Sequence, residues 1–145
     1  MISIRNEIVI NKPILEVSNY ASDPTNSIKW CKRIISVQWK TPKPIQLNSK
    51  ISYKSKFMGA LISYTYEVVF FQENKKLMVK IKEGVLPLST TFHWNSIDEN
   101  STIMTITTVG KPKMFSSILS PFVSLVMKQR SQKDLKKLKE TLENK

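Results

Sequence analysis

The side chains best suited to covalent or acid–base chemistry are scarce in this sequence. His93 is the only histidine. It stands between Phe92 and Trp94 in an alternating run, so it points to the opposite face from theirs. If those aromatics face inward, His93 faces solvent and is no catalytic base. With no expected partner, it supports no Ser-His-Asp set, and one histidine cannot make a His-rich metal site. Cys31 is the only cysteine, which excludes an intramolecular disulfide and a cysteine-rich zinc site. Lys29, Lys32 and Arg33 are near it in sequence, as an activated thiolate requires, but an inert, half-buried thiol is the plainer reading. The candidate acids and bases are Glu67, Glu83, Asp98 and Glu99. Glu67 alternates with Tyr64, Tyr66 and Val68 and should face solvent; the others fall in turns. No interior carboxylate can be placed. Three glycines leave no glycine-rich phosphate loop.

What remains is aromatic. Trp30, Trp39, Tyr53, Phe57, Tyr64, Tyr66, Phe92 and Trp94, with Met127, form a candidate cavity wall. Tyr and Trp combine apolar area with a hydrogen-bonding tip, the mixture a small-molecule pocket needs. Ordinary core packing is the competing reading for each residue taken alone.

These residues sit on elements that the pattern makes visible. Residues 2–10 alternate, with Ile2, Ile4, Ile8 and Ile10 on one side, and predict a strand. Asn11-Lys12-Pro13 breaks it, and Pro13 suits the start of a helix over 14–21 facing in through Ile14, Val17 and Tyr20. Asp23-Pro24 stops that helix and opens a short turn toward Trp30. Six further strands follow, over about 33–40, 49–58, 61–71, 77–82, 88–97 and 102–109. Their inward faces are expected to carry Ile35, Val37 and Trp39; Ile51, Tyr53, Ser55 and Phe57; Ile62, Tyr64, Tyr66, Val68 and Phe70; Leu77, Val79 and Ile81; and Phe92 with Trp94. Hairpin-length connections make this sheet antiparallel.

The last segment, 113–143, predicts one long helix of good helix formers. At a period of 3.6, Ser120, Ser124, Met127, Ser131, Leu135, Leu138 and Leu142 form one stripe. Its leucine half clamps; its serine half reads either as an ordinary core face with a few small residues or as a roof over a ligand space. Pro121 either starts the helix, with Ser120 as its cap, or kinks it.

The length of 145 residues fits one domain, 1–145, and the hydrophobic content of 41% fits a globular core. No run of about eighteen apolar residues spans a membrane, and the N-terminus lacks signal-peptide order; a cytoplasmic location is expected. The net charge is +12, but it is mostly lysine, spread along the chain, with arginine only at 5, 33 and 130. That favours a solvated surface over a nucleic-acid site.

The order strand, helix pair, six strands, long helix resembles the helix-grip fold of the START-like (SRPBCC) superfamily. The residues that carry the resemblance run through almost the whole chain. They are Pro13, Val17, Asp23 and Trp30, then Phe57 and Gly59 before Tyr64-x-Tyr66-Glu67-Val68. Gly84 and Pro87 follow ahead of Trp94, then Thr102, and finally Leu135-x-x-Leu138-Lys139-x-x-Leu142-Glu143. They are closest to the polyketide cyclase/dehydrase-like branch. Ser18 stands where that branch often has Trp. Asn48-Ser49 and Asn100-Ser101 stand where it often has glycine, which puts local turn shape in question.

The resemblance implies an α+β architecture: a curved seven-stranded antiparallel sheet wrapped around a long C-terminal helix, with two short helices after strand one. It implies binding or transport of a hydrophobic small molecule or lipid between sheet and helix. The expected lining is Trp30, Tyr53, Phe57, Tyr64, Tyr66, Phe92, Trp94, Ser124, Met127 and Ser131. The loops 41–49, 58–62, 83–88 and 111–121 would form the mouth. Neither cofactor nor metal is implied. The alternatives are a metal-free cyclase or dehydratase on the same cavity, and a membrane- or protein-docking module built on Ile118, Phe122 and Leu125 with flanking lysines. Nucleic acid is not an expected partner.

Overall fold

The structure is a computed structural model that describes residues 2–57, 59–83, 88–110 and 120–145. Its elements are β1 (Ile2–Ile10), α1 (Ile14–Ser22), a short 3-10 turn (Pro24–Asn26), α2 (Ser27–Trp30), β2 (Ile34–Trp39) and β3 (Lys50–Phe57). There follow β4 (Ala60–Gln72), β5 (Lys76–Glu83), β6 (Leu88–Asp98), β7 (Ser101–Gly110) and α3 (Ser120–Glu143). The strands form one seven-stranded sheet in the order β1-β7-β6-β5-β4-β3-β2, with every neighbour antiparallel. The sheet curves around α3, giving the α+β helix-grip architecture expected from the sequence.

The alternation in β1 buries Ile2, Ile4 and Ile10 and exposes Ser3, Arg5 and Glu7. Asn6 takes an inward position without an unmet polar group, because its Nδ2 donates to the Lys128 carbonyl at 3.1 Å. That bond ties the first strand to α3. The turn before α2 is capped by Asp23, whose Oδ1 accepts from the Thr25 N–H at 2.9 Å, with Pro24 at the first position. This places Trp30 at the end of α2, facing the core. Asn48, standing where a glycine was expected, adopts φ 71°. Asn is among the few residues that tolerate this left-handed conformation, so the turn survives the loss of glycine.

Two strand faces depart from simple alternation. A register shift between Ile34 and Ser36 turns Ile34 inward and leaves Ile35 half exposed. A second shift, between Val68 and Phe70, keeps Val68 buried and rotates Phe70 outward; Phe71, paired with Leu77, packs against the core in its place. In both cases an extra residue reverses the side-chain phase beyond it.

α3 packs against β1 and α2. Its 24 residues span roughly 36 Å. Leu135, Leu138 and Leu142 are completely buried and join Ile10, Val17, Trp30, Val68, Trp94 and Met104 in the main core. Each such leucine contributes about 1.5–3 kcal/mol by leaving water. The helix is described from Ser120 onward; the part expected over 113–119 lies outside the described residues. Val123 and Asp134 also face inward, beyond the expected stripe.

Candidate functional site

Above the leucine clamp, α3 presents Met127, Ser131 and Asp134 to the sheet. The space between holds a cavity of about 110 Å³. Its walls are Tyr53 and Tyr64 from the β3–β4 pair, Tyr66, Val79 and Phe92 from the middle strands, and Ile45 from the loop before β3. Trp30, Cys31 and Arg33 close the side beneath α2. A smaller chamber of about 40 Å³, bounded also by Ser55 and Phe57, shares Arg33, Tyr64, Tyr66, Leu88 and Met127 with it. Pockets for drug-sized ligands measure about 300–1,000 Å³, so the described space suits a slender molecule. Residues 84–87 and 111–119, assigned to the mouth in the sequence, lie outside the described residues.

Three tyrosines form the polar seam of this apolar wall. Tyr53 faces Tyr64 across the β3–β4 ladder, their rings stacked at 5.7 Å. Tyr66 meets both edge-on, at 5.4 and 5.3 Å. Such pairs add about 0.5–1.5 kcal/mol beyond burial and hold the hydroxyls in place. Tyr64 Oη lies 2.7 Å from Ser55 Oγ. Ser27 and Thr90 are within hydrogen-bonding reach of Tyr53 and Tyr66. Burial pushes all three phenols above their ordinary range, so they are neutral donors and acceptors here. The Trp30 indole N–H is buried, and among the described residues no acceptor reaches it. An unmet buried donor costs about 1–3 kcal/mol.

The cavity also holds charge. Arg33 Nη1 lies 3.6 Å from Asp134 Oδ2, with the side chains 29% and 8% exposed. Burial raises the Asp134 carboxyl above its ordinary range; Arg33, the Lys32 backbone N–H and Arg130 pull it back without reversing the shift. Cys31 sits beside this pair. Burial, then the Asp134 charge, drive its thiol far upward, so it is an inert, protonated core group and not a nucleophile. His93 is exposed, as expected. No group of three or more metal-ligating side chains gathers among the described residues.

Of the residues proposed from the sequence, Trp30, Tyr53, Tyr64, Tyr66, Phe92, Met127 and Ser131 line the main cavity, and Phe57 lines the smaller chamber. Trp94 does not line either: it is buried against Phe92, with ring centroids 6.3 Å apart, and faces a separate cleft under α1 shared with Trp39. Two residues further along β6 than Phe92, it lies past the cavity and under α1. Ser124 lines neither chamber; Met127 and Val123 cover that level of α3. Sequence reasoning missed Arg33 and Asp134. A signal existed, because Met127, Ser131, Asp134 and Leu138 follow one another at four- and three-residue steps.

The geometry defines a helix-grip domain with an internal cavity that is mostly apolar and has one charged corner. The profile of the polyketide cyclase/dehydrase and lipid transport family matches residues 1–143, and the chain belongs to that family. A START superfamily protein from Mycobacterium smegmatis superimposes with a TM-score of 0.84 at 14% identity, over 98% of this chain and 97% of that one. The Zhui aromatase/cyclase from a Streptomyces species gives 0.81 at 11% identity, over 97% and 93%. A Thermus thermophilus protein gives 0.79 at 20% identity, over 97% and 96%. At these identities the likeness is one of fold. A search of curated proteins finds no match. Among the described residues no helix is long and apolar enough to cross a membrane.

Proposed function

We propose that this protein binds and carries a slender hydrophobic molecule or lipid between the sheet and α3. The observation that supports it is the cavity itself, with apolar walls and a fixed tyrosine seam in one space. Affinity comes from apolar burial, at about 25 cal/mol per Å². The hydroxyls of Tyr64, Tyr66 and Ser131 orient the guest. The test is native mass spectrometry on protein purified without detergent, followed by solvent extraction and by titration with the slender neutral dye 1,6-diphenylhexatriene. A copurified apolar molecule, or dye binding that Ser131→Leu weakens, supports the reading. A bare protein that also fails to bind the dye refutes it.

A second reading, peripheral docking on an anionic membrane, has its own observation. Phe122 and Leu125 are more than half exposed, and Gln129, Lys133 and Lys136 continue the same face of α3. Apolar tips followed by cations suit an anionic bilayer. Phe122→Ser should abolish sedimentation with phosphatidylserine vesicles while the fold is kept; undiminished sedimentation sinks the reading.

A further inference from the structure

Arg33 is the point where three spaces meet. It lines the main cavity, the smaller chamber and a cleft on the outer side of α3. Asp134 lines both the main cavity and the outer cleft. The remaining walls of that cleft are Lys32, Arg130, Lys133, Lys136, Lys137 and Glu140, so it is strongly basic. Inside, Arg33 and Asp134 are the only charged residues among the described lining of the cavity.

We infer that Arg33 is the head-group site for a hydrophobic carboxylate, whose apolar body fills the cavity and whose carboxylate faces the basic cleft. The inference rests on the carrier reading above and names its ligand class. Three observations carry it. The Arg33–Asp134 separation of 3.6 Å exceeds the roughly 2.7–2.9 Å of a strong charge-assisted bond, so Asp134 engages the guanidinium loosely. A guanidinium has five N–H donors in a planar fork, more than its contacts with Asp134 and the Tyr64 phenol use. Asp134 itself shows that a carboxylate fits there, and the burial that raises its carboxyl eases its displacement by a guest. The surrounding cations draw anions toward this corner. The cavity alone, being apolar, would accept alcohols and acids alike; the Arg33 corner discriminates between them.

The test is displacement of 1,6-diphenylhexatriene from the cavity by octanoate and by 1-octanol, which share a chain and differ in the head. Octanoate is expected to displace the dye at about tenfold lower concentration or less, the scale of one hydrogen bond to a charged group. Moderate salt should erode that advantage. Asp134→Asn frees the guanidinium and should widen the preference for octanoate over octanol, both measured on that variant. Arg33→Gln should abolish the preference, so that octanoate and octanol displace the dye from that variant at equal concentrations. Equal potency of the two in the unmodified protein overturns the inference while the carrier reading stands, and needs no variant. A stronger octanol has the same consequence. Failure of both molecules and of the dye removes the carrier reading and this inference together.

Discussion

Substituting Arg33 by Met strands Asp134, a carboxyl group whose side chain is 8% exposed. Breaking a fully buried ion pair from one side costs about 3–5 kcal/mol. Here the separation is 3.6 Å and Arg33 is 29% exposed, which places the loss at neutral pH near the lower bound, about 2–3 kcal/mol. The converse change, Asp134→Asn, leaves an arginine that reaches the outer cleft and costs about 1 kcal/mol. The two variants differ in pH dependence as well. Asp134 is already raised in the folded protein. Removing Arg33 takes away the first of the influences that lower it, so the carboxyl rises further. The folded state then holds a proton that the unfolded state releases near pH ~3.9. Stability from this group is therefore complete below that value and falls as pH rises toward the folded value, by at most about 1.4 kcal/mol per unit. Cys31, which feels the Asp134 charge, stays protonated through this range because burial holds its thiol up. Urea unfolding followed by circular dichroism, from about pH 5 to pH 8, measures all of this. Arg33→Met should lose stability steeply with pH, and adding Asp134→Asn should flatten the slope. An Arg33→Met protein no weaker than Asp134→Asn, or a slope that persists in the double variant, would refute the reasoning.

Three further outcomes follow from the same geometry. Leu138 is completely buried in the α3 clamp, so Leu138→Ala should cost about 2.7–5 kcal/mol and lower the melting temperature by roughly 10 °C; a shift of only one or two degrees would mean that the clamp is loosely packed. All four tyrosines have phenols raised by burial. The folded state therefore keeps protons that the unfolded chain gives up near pH ~10, and stability is lost as pH climbs beyond that point. Phenolate absorbance should appear together with loss of the circular dichroism signal, and phenolate formation in intact protein would contradict the buried seam. The Cys31 thiol is buried and driven upward, so iodoacetamide should label it slowly in the folded protein and fully in urea; fast labelling under native conditions would expose an error in the placement of α2.

The fold was legible because its signals are local and mutually consistent. The isoleucines of β1, the Ile51–Phe57 alternation and the Leu135–Leu142 spacing each specify one buried face, and each is buried as its period requires. Legibility failed where one extra residue shifts a strand's phase. Ile35 and Phe70 continue an alternating pattern in sequence, yet the bulges at Ile34/Ser36 and Val68/Phe70 turn them outward. Nothing in Ile-Ile-Ser or Val-Val-Phe marks a bulge, since β-branched and aromatic residues suit either face.

The charged corner was hidden for a different reason. Arg33 directly precedes β2, next to one of those bulges, so strand phase says nothing of its direction. Asp134 lies in the polar run Gln132-Lys133-Asp134 and resembles an exposed helix residue, although its spacing from Met127 and Ser131 puts it on the inner face. The two come together only when α3 closes over α2, and a carboxylate is tolerated inside because that closure brings Arg33 and the Lys32 N–H to it. The aromatic wall followed from residue type and alternation, which a single strand displays by itself. The polar corner is a property of the closed structure. It is also where the proposed carrier would tell apart two ligands of equal hydrophobicity, so the residues proposed to set specificity are those least visible in the sequence.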